Sequence, residues 1–215
     1  MSDLADALER DAAALGLSLS AVQRDQLLAY LQLLLRWNAT YNLTAVRDAE
    51  AMRTQHLADC LAVVPPLRRH LDGREARLLD VGSGGGLPGV VLAVLMPSVT
   101  VTCVDTVGKK AAFVRQVAAE LRLPNLRAEH ARVERLSGEF DVITARAFAT
   151  LAELVALTRQ RLAPDGAWLA MKGKHPEDEL AALPPDIEMF HVEHLDVPGL
   201  AAERCLIWMR LRHGS

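Results

Sequence analysis

The sequence is poor in cysteine, in aromatic residues and in lysine. Cys60, Cys103 and Cys205 are too few and too scattered for a disulfide framework or a cysteine-ligated zinc site. No stretch of about 20 apolar residues lacks a charge, a glycine or a proline, which argues against a membrane span. The first residues are acidic and amphipathic, so no secretory signal is visible. We therefore expect a soluble cytoplasmic protein without a bound metal.

The composition indicates one globular unit with an uneven charge. Of the 215 residues, 51% are hydrophobic, which excludes a disordered chain and suffices for one sizeable core. The net charge of −3 argues against nonspecific coating of nucleic acid. Residues 101–175 nevertheless hold 12 basic and 8 acidic side chains, whereas residues 176–215 hold 3 and 8. Only the middle of the chain is therefore expected to attract a polyanion.

Residues 1–70 are predicted to form a helical extension. Ser20 and Gln23 have the spacing of a capping box and precede leucines at helical spacing. After a break rich in turn formers at residues 38–44, a second helix is predicted from about Asp48 to Val64, ended by Pro65 and Pro66.

From residue 71 onward, apolar runs alternate with helical patterns, which predicts a parallel sheet covered on both faces. The predicted strands cover residues 78–81, 99–104, 126–128, 140–144 and 167–171, with helices at 90–96, 109–121 and 151–162. Two strand-like segments without an intervening helix, 187–195 and 205–211, predict an antiparallel pair at one edge. This arrangement favours an α/β fold: the mostly parallel, seven-stranded, Rossmann-like sheet of class I methyltransferases, with residues 71–215 as the core domain.

The most informative motif is a glycine-rich loop directly after the first strand. It reads Asp-Val-Gly-Ser-Gly-Gly-Gly-Leu-Pro-Gly over residues 80–89, and it lets the backbone approach a ligand where a Cβ atom would clash. A dinucleotide fingerprint would require glycine where Leu87 stands, so NAD is disfavoured. Asp80 followed by Gly82 and Gly84 is instead similar to the first motif of S-adenosylmethionine enzymes.

Asp105 ends the second predicted strand, where an acidic side chain accepts hydrogen bonds from the two ribose hydroxyls of an adenosine. This placement suits NAD and S-adenosylmethionine alike. The segment 162–168, with its turn Pro164-Asp165-Gly166, resembles the turn before the fifth strand of methyltransferases.

The fourth strand is followed by Ala145-Arg146-Ala147-Phe148 and not by the Asn-Pro-Pro-Tyr type of motif that holds an exocyclic amine. Arginine stays protonated and cannot act as a base, so a nucleophile with an existing lone pair is favoured. Guanine N7 is such an atom, and Arg146 is placed to donate to the neighbouring O6 or to the cofactor carboxylate. We interpret Arg146 as a catalytic positioning residue, with no general base. Phe148 is a candidate for stacking on the base.

Over nearly its whole length the chain resembles the small-subunit ribosomal RNA guanine-N7 methyltransferases, also called glucose-inhibited division protein B. The resemblance rests on several motifs together: Trp37-Asn38, Tyr41 to Thr44, Arg47-Asp48, His56 with Asp59, residues 80–89, Gly108 to Lys110, Arg132 to Glu134, Ala145 to Phe148 and Lys172-Gly173. Gly85 departs from the family, in which many members have proline. The second of the two lysines at 109 and 110 departs as well, since arginine is frequent there.

The resemblance implies an S-adenosylmethionine-dependent enzyme that methylates N7 of one guanine in the 16S ribosomal RNA of the small ribosomal subunit. It further implies that the cofactor is bound by Gly82, Gly84, Leu87, Asp105, Thr106, Val107, Val133, Glu134 and Arg146. The cations expected to contact RNA phosphates, because they flank the predicted carboxyl edge of the sheet, are Lys109, Lys110, Arg132, Lys172 and Arg204. A monomer is the default expectation.

Two points stay open at this stage. His56 and Asp59, one helical turn apart, are interpreted as residues of a helix-stabilising or core hydrogen bond and not as a catalytic pair. The alternatives to an RNA methyltransferase are a methyltransferase for a small molecule and a nonenzymatic cofactor-sensing or ribosome-assembly factor. An oxidoreductase is least favoured, because Leu87 breaks its fingerprint.

Overall fold

A computed structural model describes residues 2–212 and shows a single seven-stranded sheet between layers of helices. The strands are β1 Ala76–Val81, β2 Val99–Asp105, β3 Leu126–His130, β4 Phe140–Arg146, β5 Leu162–Lys172, β6 Ile187–His194 and β7 Cys205–Leu211. Their order across the sheet is β3-β2-β1-β4-β5-β7-β6. The first five are parallel, and β7 pairs antiparallel with both β5 and β6. The predicted mostly parallel sheet with an antiparallel pair at one edge is confirmed.

The α-helices are α1 Ser2–Ala14, α2 Ala21–Tyr41, α3 Ala49–Met52, α4 Asp59–Leu61, α5 Val64–Leu71, α6 Gly89–Leu95, α7 Gly108–Glu120, α8 Leu151–Thr158 and α9 Glu177–Ala181. Short 3₁₀ turns cover Val133–Arg135 and Arg159–Arg161, and a π-helical turn covers Arg53–Ala58. None of the helices between residues 2 and 212 combines the length and the hydropathy that crossing a bilayer requires.

The amino-terminal helices form part of the same hydrophobic core as one face of the sheet. Leu27, Leu31 and Leu34 of α2 are fully buried with the apolar side chains of β1, β2 and α6. The predicted capping box is present, with Ser20 and Gln23 each bonding the other's backbone. The helices are therefore stabilised mainly by apolar burial against the sheet.

One local prediction is incomplete and another is wrong. The helix predicted to end before Pro65 stops at Leu61, but Pro65 and Pro66 then lie in the first turn of a further helix, α5, where proline lacks only an N–H that is unpaired in any case. The turn expected at Pro164–Gly166 is instead part of β5, which runs from Leu162 and shifts register against β4 near Phe140.

The predicted helix over residues 48–64 is interrupted. It begins at the cap Asp48, turns π-helical from Arg53 to Ala58 and returns to α-helix at Asp59. A π-turn is frequent at functional sites, because it changes the direction of side chains and frees carbonyl groups. Here it faces the carboxyl edge of the sheet.

Candidate active site

The glycine-rich loop lies at the carboxyl end of β1 and is held from several sides. The N–H groups of Gly82 and Ser83 donate to the carbonyl of Val104 at 2.9 and 3.2 Å. From below, the buried hydroxyl of Tyr30 in α2 donates to the carbonyl of Gly85 at 2.7 Å. The loop is therefore preorganised, partly by a helix of the amino-terminal extension.

Gly82 is the point at which this loop requires glycine. Its φ is +65°, a left-handed conformation that side chains disfavour. A Cβ atom added there would lie 2.4 Å from Cδ2 of Phe148, which is 41% exposed at the end of β4. Ala147, between Arg146 and Phe148, also has a positive φ of 49°. The backbone is thus constrained on both sides of the contact between Gly82, after β1, and Phe148, after β4.

Two cavities meet at Gly82 and Ala147. The first, of about 510 Å³, we call the Asp105 cavity; its lining includes Asp105, Thr106, Val107, Lys110, Arg132, Val133 and Glu134, with Phe148. The second, of about 630 Å³, we call the cationic cavity; its lining includes Gly82, Gly84, Leu87, Arg146, Lys172 and Arg204, with Thr44, Gln55, His56 and Asp59. All nine residues predicted to bind the cofactor therefore line one of two adjoining cavities.

The carboxylate of Asp105 organises the wall between β1 and β2. Its Oδ2 accepts from the N–H of Gly84 at 3.0 Å and its Oδ1 from the N–H of Val107 at 2.8 Å. The ammonium of Lys110 lies 3.7 Å from Oδ2. Each oxygen keeps a further lone pair, so the side chain that was predicted to hold a ribose is fixed in place beside the Asp105 cavity.

The ion pairs of the cationic cavity centre on Asp59, the first residue of α4. Its Oδ2 accepts from Nη1 of Arg146 at 3.1 Å, and its Oδ1 accepts from Nε of Arg204 at 2.9 Å. Nη1 of Arg146 also donates to the carbonyl of Gln55 in the π-helical turn, at 3.1 Å. Asp59 is only 2% exposed, so its charge is compensated by two guanidinium groups and not by water.

His56 and Asp59 do not bond each other, but both are buried and each makes hydrogen bonds with other residues. Nδ1 of His56 lies 3.0 Å from the carbonyl of Gln55, which can only accept, and 3.5 Å from Nη2 of Arg146, which can only donate; we assign the proton to Nδ1 on the shorter contact. Nε2 lies 2.7 Å from the hydroxyl of Thr44 and accepts from it. Burial and the nearby charge of Arg146 lower the pKa of His56, which keeps the ring neutral. Both of its nitrogens are thus occupied.

The predicted RNA-binding cations fall into three groups. Lys110 and Arg132 line the Asp105 cavity, and Lys172 and Arg204 line the cationic cavity. Lys109 lines neither; its ammonium lies 5.9 Å from the ring centre of Tyr41. Lys172 already donates to both carboxylate oxygens of Glu179, at 2.9 and 2.7 Å. Among the five, Lys109 and Arg132 are the exposed ones.

Asp80 lies directly beneath the glycine-rich loop and is fully buried. One carboxylate oxygen accepts from the N–H of Gly89 at 2.8 Å, while the other has no hydrogen-bond partner among the described residues. Burial raises the pKa of Asp80 to about 7, although the bond from Gly89 opposes the shift. Asp80 therefore has a structural role. Its protonation is coupled to the hydrogen bond that it accepts from Gly89 at the end of the glycine-rich loop.

Sequence reasoning missed the contribution of the amino-terminal extension to the site. Thr44, Gln55 and Asp59 line the cationic cavity together with Arg146. The available signal was the set of polar motifs at residues 41–44 and 56–59 in the family resemblance, of which only His56 and Asp59 were interpreted, as structural residues. Among residues 2–212 the structure brings together no cluster of histidine, cysteine and acidic residues that could hold a metal ion.

The sheet has the fold of the class I methyltransferases. Similar solved structures include the N-methyltransferase NodS of Bradyrhizobium japonicum in complex with S-adenosyl-L-homocysteine, with a TM-score of 0.58 and 14% identity over 79% of this chain and 94% of that one. TrmN from Thermus thermophilus aligns with a TM-score of 0.55 and 23% identity over 71% of this chain and 48% of that one. At these identities the likeness establishes the fold alone.

Within that class, the chain belongs to the family described as rRNA small subunit methyltransferase G, whose profile matches residues 23–207. A relative of that name from Leptothrix cholodnii is 64% identical over 208 residues, which cover 96% of this chain and 95% of the relative. Another from Acidovorax ebreus is 61% identical, over 97% and 96%. The protein is a methyltransferase of this family, as its sequence motifs predicted.

Proposed function

We propose that this enzyme transfers the methyl group of S-adenosylmethionine to N7 of one guanine in 16S ribosomal RNA, acting as a cytoplasmic monomer on the small subunit or its RNA. The names of its relatives support the RNA substrate. The geometry of the two cavities supports the cofactor and the type of nucleophile.

The residues present fit S-adenosylmethionine. The left-handed Gly82 removes the Cβ atom that would project where the two cavities join, and Asp105 presents a fixed carboxylate to a ribose. Val133, which is buried, and Glu134 follow β3 and are suited to packing beside an adenine and contacting it. Arg146 lies beside the glycine-rich loop at the end of β4, where its guanidinium can donate to the carboxylate of the amino-acid part.

The observation that carries the choice of nucleophile is the state of the potential bases around the cationic cavity. The proton of Nδ1 and the lone pair of Nε2 in His56 are engaged by Gln55 and Thr44, and Asp59 is held by two arginines. An exocyclic amine must lose a proton during methylation, whereas guanine N7 attacks with an existing lone pair. The lining therefore favours N7.

The bound cofactor supplies a methyl group on a sulfonium, and its transfer to N7 leaves a positive charge on the guanine. The residues of this chain contribute by binding and alignment. Asp105, the glycine-rich loop and Arg146 fix the cofactor, and the remaining cations of the site fix the RNA. Alignment of this kind contributes on the order of 7 to 11 kcal/mol to lowering a bimolecular barrier.

Access to N7 favours an unpaired or flipped target, because the major groove of an RNA helix is too deep and narrow for side chains to read. The exposed ring of Phe148, beside Gly82 where the cavities meet, is suited to stacking on such a base. Lys109 and Arg132, both exposed at the carboxyl edge of the sheet, are the cations most accessible to neighbouring phosphates.

The test is to incubate the purified enzyme with methyl-labelled S-adenosylmethionine and small ribosomal subunits from a strain that lacks the gene. We expect label on N7 of a single guanine, located by mass analysis of nuclease fragments. A parallel calorimetric titration with the cofactor alone shows whether the purified protein binds S-adenosylmethionine. Tight cofactor binding without label in subunits or in free 16S RNA would contradict the proposal and favour a small-molecule substrate or an assembly factor.

A further inference from the structure

The buried carboxylate of Asp59 joins three distant parts of the fold at the cationic cavity. Asp59 follows the π-helical turn of the amino-terminal extension, Arg146 ends β4, and Arg204 immediately precedes β7. The contacts span 87 residues to Arg146 and 145 residues to Arg204. Each carboxylate oxygen serves a different arginine, so the two guanidinium groups are held at a fixed separation.

The strand order places Arg146 and Arg204 at different distances from Asp105 along the sheet. From the Asp105 cavity the sheet runs β2-β1-β4-β5-β7, and Lys172 at the end of β5 is paired with Cys205, the residue after Arg204. Arg146 is thus next to the glycine-rich loop, whereas Arg204 lies over the half of the sheet farther from Asp105. In the proposed reaction the adenosine of the cofactor occupies the Asp105 cavity, so we infer that the target base enters between Phe148, where the cavities meet, and Arg204 in the cationic cavity.

Arg204 still has a donor to offer. Its Nε donates to Asp59 and its Nη1 to the carbonyl of Glu203 at 2.8 Å, and no described residue accepts from Nη2. Guanine presents O6 next to N7 on its Hoogsteen edge, and N7 must keep its lone pair free for the attack. Recognition therefore needs a donor directed at O6 alone, which a planar guanidinium fixed through Nε can supply.

Asp59 also compensates the positive charge of the two arginines in the cationic cavity. Without it, Arg146 and Arg204 would be two neighbouring like charges, and both would turn toward water. The guanine becomes positive as it is methylated, and a carboxylate between the arginines compensates part of that unfavourable field. Removing one member of a buried charge network generally displaces the others.

We propose that Asp59 is a positioning residue for methyl transfer, which holds Arg204 so that Arg204 donates to O6 of the target guanine while Arg146 holds the cofactor side. This inference rests on the proposed function. It assigns a role to the amino-terminal extension, since without Asp59 the two arginines have no common anchor.

The chain contains a matched control for a purely structural ion pair. Asp11 of α1 is also buried, at 9% exposure, and pairs with Arg53 at the start of the π-helical turn. Neither Asp11 nor Arg53 lines either cavity. Asp11→Asn therefore breaks a comparable pair without touching the arginines of the site.

The experiment compares Asp59→Asn with Asp11→Asn in the full chain, measuring kcat and KM on small subunits, cofactor affinity by calorimetry, and Tm. We expect Asp59→Asn to lower kcat, measured at saturating subunits and saturating cofactor, by roughly 100-fold, the cost of a misplaced reacting group, and to weaken cofactor binding because Arg146 is also released. Asp11→Asn is expected to lower Tm but to leave kcat close to that of the wild type.

A double substitution separates positioning from folding. If Asp59 acts through Arg204, then Asp59→Asn combined with Arg204→Gln is no slower than Arg204→Gln alone, whereas independent effects multiply. Should Asp59→Asn not fold, Arg204→Lys, which keeps the charge but loses the Nε geometry, carries the same expected fall in kcat. Equal kcat for Asp59→Asn and Asp11→Asn, or multiplicative effects in the double variant, would overturn this inference and leave the proposed function standing. Absence of wild-type labelling would overturn the proposed function itself.

Discussion

Replacing Asp105 by alanine tests the cofactor site most directly, because this carboxylate is predicted to bind the ribose and also holds two backbone N–H groups. The substitution removes the acceptor for both ribose hydroxyls. Hydrogen bonds to a charged group contribute about 1.5 to 3 kcal/mol each. Taking the lower figure for both, because water enters the vacated space, gives a loss of about 3 kcal/mol, or roughly 150-fold in Kd.

The same substitution has a structural cost that the assay must separate. The N–H groups of Gly84 and Val107 lose their acceptor, which at the same 1.5 to 3 kcal/mol for each bond lowers the free energy of unfolding by about 3 to 6 kcal/mol, less where water replaces the carboxylate. A domain in the upper part of the ordinary range of about 5 to 15 kcal/mol remains folded. Calorimetric titration with S-adenosylhomocysteine and urea denaturation on the same samples give both quantities.

Two further variants make the measurement interpretable. Asp105→Asn keeps one acceptor oxygen and is expected to lie between the wild type and Asp105→Ala in both Kd and stability. Asp141→Ala removes a carboxylate at the opposite end of the sheet, where it accepts from the N–H of Arg77 at 2.7 Å, and is expected to leave Kd unchanged. If Asp105→Ala binds the product as tightly as Asp141→Ala does, the assignment of Asp105 to the ribose is refuted.

Three other predictions concern the loop and its surroundings. Gly82→Ala forces a left-handed alanine, at about 1 to 2 kcal/mol, and displaces Phe148, so we expect weaker cofactor binding by calorimetry; unchanged affinity would contradict this. Because the folded-state pKa of Asp80 is raised from 3.8 to about 7, native protein retains a proton that the unfolded chain releases. The contribution of Asp80 to the free energy of unfolding should therefore fall between about pH 4 and 7, by at most about 1.4 kcal/mol per pH unit. Urea titrations across that range should show a flatter profile for Asp80→Asn, and parallel profiles would argue against the shift. Glu179→Gln releases Lys172, so RNA binding should tighten and its salt slope steepen by about one, whereas an unchanged slope would leave Lys172 without a phosphate contact.

The order of strands and helices could be predicted because it depends on local signals. Apolar runs that alternate with helical periodicity predict parallel strands, and the carboxyl ends of such strands meet at one edge. Asp105 and Arg146, each at the end of a strand, could therefore be assigned to the site from sequence alone. The positions of the two cavities follow from the order of the strands in the sheet. They do not depend on contacts between residues that are distant in the sequence.

The contacts made by the amino-terminal extension could not be predicted in this way. The π-helical turn at Arg53–Ala58 has no distinguishing pattern, so α-helical spacing paired His56 with Asp59. Instead His56 contacts Thr44, and Asp59 contacts arginines far along the chain. Periodicity reports which face of an element is buried, but it contains no information on which distant partner a buried charge meets.

The position of Asp59 early in the chain has a consequence for biosynthesis. Arg204 leaves the ribosome 145 residues after Asp59, which at about 5 to 20 residues per second is a delay of roughly 7 to 29 seconds. During that interval the carboxylate of Asp59 lacks one of its two counter-charges. Its burial is then unfavourable, so the segment around it stays in contact with water. The pair of arginines at the carboxyl edge of the sheet is therefore completed only when Arg204, which follows β6, has been translated. A nascent chain that ends before Arg204 contains six of the seven strands and still lacks one of the two arginines.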